Sequence, residues 1–79
     1  MDRLQNLLVL LVRPIVDEPD RIEVEATESD SRVDLELRVA EADIGKVIGR
    51  GGRTIRAIRT VLKAASVKLD KRVNVEVLD

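Results

Sequence analysis

The stretch Gly45-Lys46-Val47-Ile48-Gly49-Arg50-Gly51-Gly52-Arg53-Thr54-Ile55 contains all four glycines of the chain, three of them within four positions. Apolar residues flank the glycines at helical spacing, and Lys46, Arg50 and Arg53 set positive charge among them. A backbone without β-carbons can be approached closely by a phosphate chain. A helix that begins directly behind it offers free amide donors and a partial positive charge. Spacing decides which kind of phosphate loop this can be. A P-loop needs Gly-Lys-Ser/Thr four residues after its first glycine; counted from Gly45, the second glycine falls on Arg50. The dinucleotide fingerprint Gly-x-Gly-x-x-Gly, counted from Gly49, puts its third glycine on Thr54. Both motifs also follow a strand, whereas this loop joins two helical stretches. What remains is helix, Gly-x-x-Gly, helix.

The neighbouring segments extend that reading in both directions. Asp43 is placed to cap a short helix over 44–48. Behind the glycines, Ile55, Ile58, Leu62, Ala65 and Leu69 recur at helical spacing and predict a helix over 53–68. Residues 72–78 alternate, with Val73, Val75 and Val77 against Arg72, Asn74 and Glu76, which predicts a strand with one wet face. Upstream, 21–27 and 32–39 alternate in the same way, and the polar link Glu28-Ser29-Asp30-Ser31 makes them an antiparallel hairpin. At the start, Leu4, Leu7, Leu8 and Leu11 predict a helix over 2–13, stopped near Pro14. The order is α-β-β-α-α-β. A crossover carrying two helices joins parallel strands most simply. The expected fold is therefore α+β, with a three-stranded mixed sheet and all helices on one face.

Composition excludes much else. At 79 residues the expectation is one small domain, residues 1–79. There is no cysteine and no histidine, which removes most metal-site chemistry, disulfides and the commonest general base. Ser29 and Ser31 lie in an acidic turn without a base, so no nucleophile-base pair can be assembled and no enzyme is expected. No metal and no cofactor are expected. The run at 7–12 is far too short to span a bilayer, and no signal peptide or membrane anchor is read. With no Phe, Tyr or Trp, nucleic acid cannot be held by aromatic stacking. The net charge of −1 hides a split: residues 1–43 carry 5 basic and 12 acidic side chains, residues 44–79 carry 9 and 3. A polyanion is attracted to the glycine half and repelled by the other.

Val47-Ile48-Gly49-Arg50-Gly51-Gly52-Arg53-Thr54-Ile55 closely resembles the signature of KH domains, and the element order resembles their type II arrangement. In length and layout the chain also resembles the small stand-alone bacterial KH proteins of the KhpA type. The Val16-Asp17-Glu18-Pro19 linker and the Lys71-Arg72-Val73 lead-in to the last strand carry that likeness. The resemblance implies a cytoplasmic single-stranded RNA-binding protein, an RNA chaperone or post-transcriptional regulator. It also implies a homodimer, or a heterodimer with a larger KH protein of the Jag (KhpB) type.

KH domains clamp about four nucleotides with the Gly-x-x-Gly loop on the backbone. The candidate RNA-binding residues are then Lys46, Ile48, Gly49, Arg50, Gly51, Gly52, Arg53, Ile55 and Arg56. Arg59 and Lys63 share the charged flank of the long helix, where facing water is the simpler role. Ile44, Val47, Ile48 and Ile55 are candidates for an apolar groove wall, and sequence does not divide them between groove and core. Bases are expected between the helix pair and the hairpin, near 33–38. Gly51 stands where the family often has a polar or basic residue, which removes one phosphate contact. The apolar surplus Val9, Leu10 and Val12, with the stripe Ala57, Val61 and Ala64, suggests a dimer or partner surface; the other reading packs the first helix over the end of the sheet. A second functional reading follows from that surplus: a protein-interaction subunit working mainly through a larger partner or a ribosomal component.

Overall fold

Three leucine-rich turns open the chain as helix α1, Asp2–Val12. The computed structural model describes residues 2–78. Leu4, Leu8 and Val12, one helical turn apart, are the buried face of α1, while Leu7 and Leu11 pack at its margin and Leu10 stays 64% exposed. Val12 therefore belongs to the core and not to an exposed patch. In a helix apolar on almost every side, the sheet beneath selects which stripe is buried.

The alternating segments form strands β1, Glu23–Glu28, and β2, Arg32–Arg38, paired antiparallel through a short link in which the Ser29 amide donates to the Arg32 carbonyl. Strand β3, Arg72–Leu78, lies parallel to β2, so the sheet order is β1-β2-β3. The element order is the expected α-β-β-α-α-β. Val33, Leu35 and Leu37 of the central strand are at most 1% exposed and face the helices. Gln5 Nε2 donates to the Val24 carbonyl and ties α1 to β1.

Helices α2, Ile44–Ile48, and α3, Arg53–Ala65, carry the glycine loop between them. Val47, Ile55, Ile58 and Leu62 complete a wholly aliphatic core. The expected helix over 53–68 ends at Ala65. The Ser66 amide and hydroxyl bond back to the Leu62 and Lys63 carbonyls, and a 3-10 turn, Val67–Leu69, follows. Ala65 and Leu69, expected inside, are exposed: the buried face of α3 runs from Leu62 to Ser66, past Ala65, and Leu69 lies beyond the break in the helix.

The outer face of the sheet holds an electrostatic conflict. Glu25 stands opposite Glu36 on one side, and Glu36 stands opposite Glu76 on the other. All three are exposed. Like charges directly across a ladder destabilise it. Glu36→Lys turns both repulsions into attractions and is expected to raise Tm by about 2–6 °C at low ionic strength. The gain shrinks in 1 M salt, where the Debye length is about 3 Å. An unchanged or lower melting temperature in dilute buffer contradicts this.

Candidate nucleic-acid interface

The turn between α2 and α3 is made by backbone conformations that side chains rarely adopt. Gly49 has φ 76° and ψ 170°, Gly51 φ 63° and ψ 20°, and Gly52 φ 78° and ψ 15°. Three of four consecutive residues thus take positive φ, the region that glycine enters without steric penalty. Gly49 is fixed by crowding as well: a β-carbon there would collide with Thr54 Oγ1 and lie 2.8 Å from the Thr54 nitrogen. The Gly52 amide closes the turn on the Gly49 carbonyl at 3.1 Å. Around Gly51 the space is open. The loop is a bare backbone ridge that a sugar-phosphate chain can touch.

Charge converges on this ridge. Arg50, Arg53 and Arg56 are exposed, and among the described residues none has a side-chain partner. A β-carbon at Gly52 would meet Arg56 Nη1 at 3.8 Å, so that guanidinium hangs beside the loop. From Ile44 to Leu69 there is no acidic residue. The first turn of α3 has none either, so nothing neutralises the positive end of its dipole.

Lys46 is placed differently from the three arginines. Its ammonium is paired with the Asp17 carboxylate and lies 3.6 Å from Asp43 Oδ1. The Asp17 hydrogen bond holds its pKa above the ordinary 10.5, against the opposing effect of burial. Lys46 is therefore tied to the linker before β1, whereas no side chain among the described residues holds Arg50. Asp43 precedes α2 but caps nothing with its side chain. Its carboxylate, 1% exposed, accepts the backbone amides of Asp17 and Glu18, each at 3.1 Å. The Asp17 amide foremost holds its carboxyl below the usual 3.8, while burial pushes the other way. This buried clamp, joining residues 26 apart, fixes the start of α2 and hence the loop. Sequence gave no sign of it beyond an aspartate next to a helix start.

The apolar candidates divide cleanly. Val47 and Ile55 are core residues, at 0% and 6% exposure, whereas Ile48 is 38% exposed and Ile44 intermediate. The Ile55 side chain therefore packs inward and offers a ligand no apolar wall. Arg59 is occupied: its Nε and Nη2 donate to the Val75 carbonyl on β3, at 3.3 and 3.1 Å. The expected base-reading edge at 33–38 is also corrected. Strand β2 is central and hydrogen-bonded on both sides, and the open edge next to α3 is β3. Along the surface stripe, Ala57, Val61 and Ala64 are exposed, Val61 at 42%; Leu10 is exposed and Val9 half-buried.

A left-handed Gly-x-x-Gly turn between two helices, in an α-β-β-α-α-β chain with a parallel β2–β3 pair, defines a KH domain of type II. Comparison with known proteins narrows the class. The sequence profile of the family described as "KhpA/KhpB, KH domain" matches residues 5–77, and the chain belongs to this family. It is 47% identical over 76 residues to the "RNA-binding protein KhpA" of Bacillus subtilis (strain 168), covering 96% of this chain and 94% of that protein. Identity to the protein of the same name from Clostridium acetobutylicum is 47% over 75 residues, 95% of this chain and 100% of that one. With that of Aquifex aeolicus (strain VF5) it is 42% over 79 residues, spanning both in full. The chain is a KH protein and not an enzyme. No described helix is long and apolar enough to cross a membrane.

Proposed function

We propose that this chain binds single-stranded RNA, laying the sugar-phosphate backbone on the Gly49–Gly52 ridge. Arg50, Arg53 and Arg56 contact phosphates, and Ile48 lies against a base or ribose. The observation that carries this reading is the left-handed ridge at the head of α3 with Arg50, Arg53 and Arg56 beside it, all three exposed and, among the described residues, without a side-chain partner. The name its relatives carry, RNA-binding protein KhpA, supports it. The role is that of a cytoplasmic RNA chaperone or post-transcriptional regulator built on one KH domain. Titration with a single-stranded oligoribonucleotide of about four nucleotides, sized to the loop, is expected to give a log-log salt slope of about −1.4 to −2, the value for two or three phosphate contacts. A flat salt dependence, or no saturable binding in dilute buffer, overturns the proposal.

The working form is a pair, either two copies or this chain with a larger KH-domain protein of the Jag (KhpB) type. Exposed Ala57, Val61 and Ala64 on α3 support it, since small side chains let two helices approach closely. Pairing places two weak sites on one RNA and raises avidity. Val61→Asp is expected to convert a dimer to a monomer by light scattering. Wild type already monomeric at high concentration excludes self-pairing.

A further inference from the structure

At the far end of α3 from the loop, a cleft of about 670 Å³ opens between the helix terminus and the starts of β2 and β3. Arg32, Lys63, Lys71 and Arg72 line it, opposed by a single acid, Asp70, with Ser31 at its wall. Arg32 is held by Asp34 at 2.8 Å and Lys71 is paired with Glu28. Among the described residues, the side chains of Lys63 and Arg72 have no partner. Arg32 and Arg72 also stand directly opposite each other in the β2–β3 register. Asp34 already offsets the charge of Arg32, whereas the side chain of Arg72 has no such partner among the described residues and is open to an anion. The carbonyl end of α3 disfavours an anion here. Part of that end is already satisfied, because Ser66 donates both its amide and its hydroxyl to the last carbonyls.

The cleft lies on a continuous route from the loop. Arg53, Arg56 and Lys63 follow one flank of α3, and Arg59 on the same flank reaches over to the open β3 edge. Ten residues of helix separate Arg53 from Lys63, about 15 Å, which an extended strand covers within a few nucleotides. We propose that the cleft is a second phosphate-binding site for the same RNA strand, receiving the backbone that leaves the Gly-x-x-Gly loop; it rests on the RNA-binding reading above. Lys63 and Arg72 are its ligands, and Arg32 and Lys71 are held beside them by their acidic partners.

The test compares single-stranded oligoribonucleotides of about 4 and 10 nucleotides, the shorter sized to the loop alone. On the longer probe, the Lys63→Gln/Arg72→Gln variant is expected to make the salt slope shallower by about 1.4, two phosphate contacts. On the shorter probe, slope and affinity stay as in wild type. Slope is the decisive readout, because extra binding registers on a long probe raise affinity without changing it. The single variants Lys63→Gln and Arg72→Gln, each expected to change the slope by about 0.7, serve if the double variant melts early. An unchanged slope on the longer probe, or an equal change on both, overturns the second site and leaves the loop reading standing. Failure of wild type to bind either probe overturns the loop reading itself.

Discussion

Gly49→Ala is expected to lower the melting temperature by about 12–24 °C, the equivalent of about 3 kcal/mol in a chain this small. Two effects combine. With φ 76° and ψ 170°, Gly49 occupies a region that is essentially glycine-only, where strain costs about 1–3 kcal/mol. The new methyl group would also lie 2.7 Å from Thr54 Cβ and 2.8 Å from its nitrogen. Neither atom is the end of a flexible chain, so relief requires the first turn of α3 to move. That turn carries Ile55, and the shift is transmitted to the core. A domain of this length holds about 4–12 kcal/mol in total, so the loss is a large share. Gly45→Ala is the internal control: it lies in α2 with nothing within 4 Å of a β-carbon. It is expected to gain up to about 1 kcal/mol. Melting curves of the two variants by circular dichroism decide the matter. A Gly49→Ala midpoint within a few degrees of wild type would show that the turn relaxes easily.

The second large effect falls on binding and leaves folding nearly intact. The pair Arg50→Asp and Gly51→Asp sets two carboxylates where phosphate is proposed to lie. Gly51 has φ 63° with open space around it, and aspartate tolerates that conformation better than most residues, at about 1 kcal/mol. Arg50 is exposed and holds no side-chain partner among the described residues, so its loss frees no buried group. One guanidinium contact is removed and two repulsions are added, together about 3 kcal/mol, or about two orders of magnitude in RNA affinity. Arg50→Gln with Gly51→Asn repeats the backbone strain without the negative charge and is expected to lose only the Arg50 contact. RNA crosslinking and titration compare the three proteins. Affinity within about threefold of wild type in the aspartate pair would move the RNA off this loop.

Aspects set by near neighbours in the chain were legible in the sequence. Alternation over 32–39 and 72–78 and helical spacing behind the glycines gave the element order. Glycine spacing alone removed the nucleotide loops and left a turn between helices. Each of these depends on steric rules acting over a few residues. The errors share a different cause. Val12 lies on one of two interleaved apolar stripes of α1, and only contact with the sheet selects Leu4, Leu8 and Val12 as the buried one. Ile55 and Ile48 are equally apolar and flank the same loop, yet one packs beneath α3 and the other faces out.

Lys46 states the division most plainly. Its charge and its place before the Gly-x-x-Gly loop are sequence facts, and they suggest a phosphate ligand. Its capture by Asp17, 29 residues away, is a fact of the folded chain. So is the burial of Asp43 against the linker amides, and so is the choice of β3 as the open edge beside α3. The sequence by itself determined the fold class and the loop, because backbone sterics and residue periodicity are local. Only the tertiary structure decided which cations remain free and which strand lies open, because a charge is neutralised, and an edge covered, by residues distant in the chain.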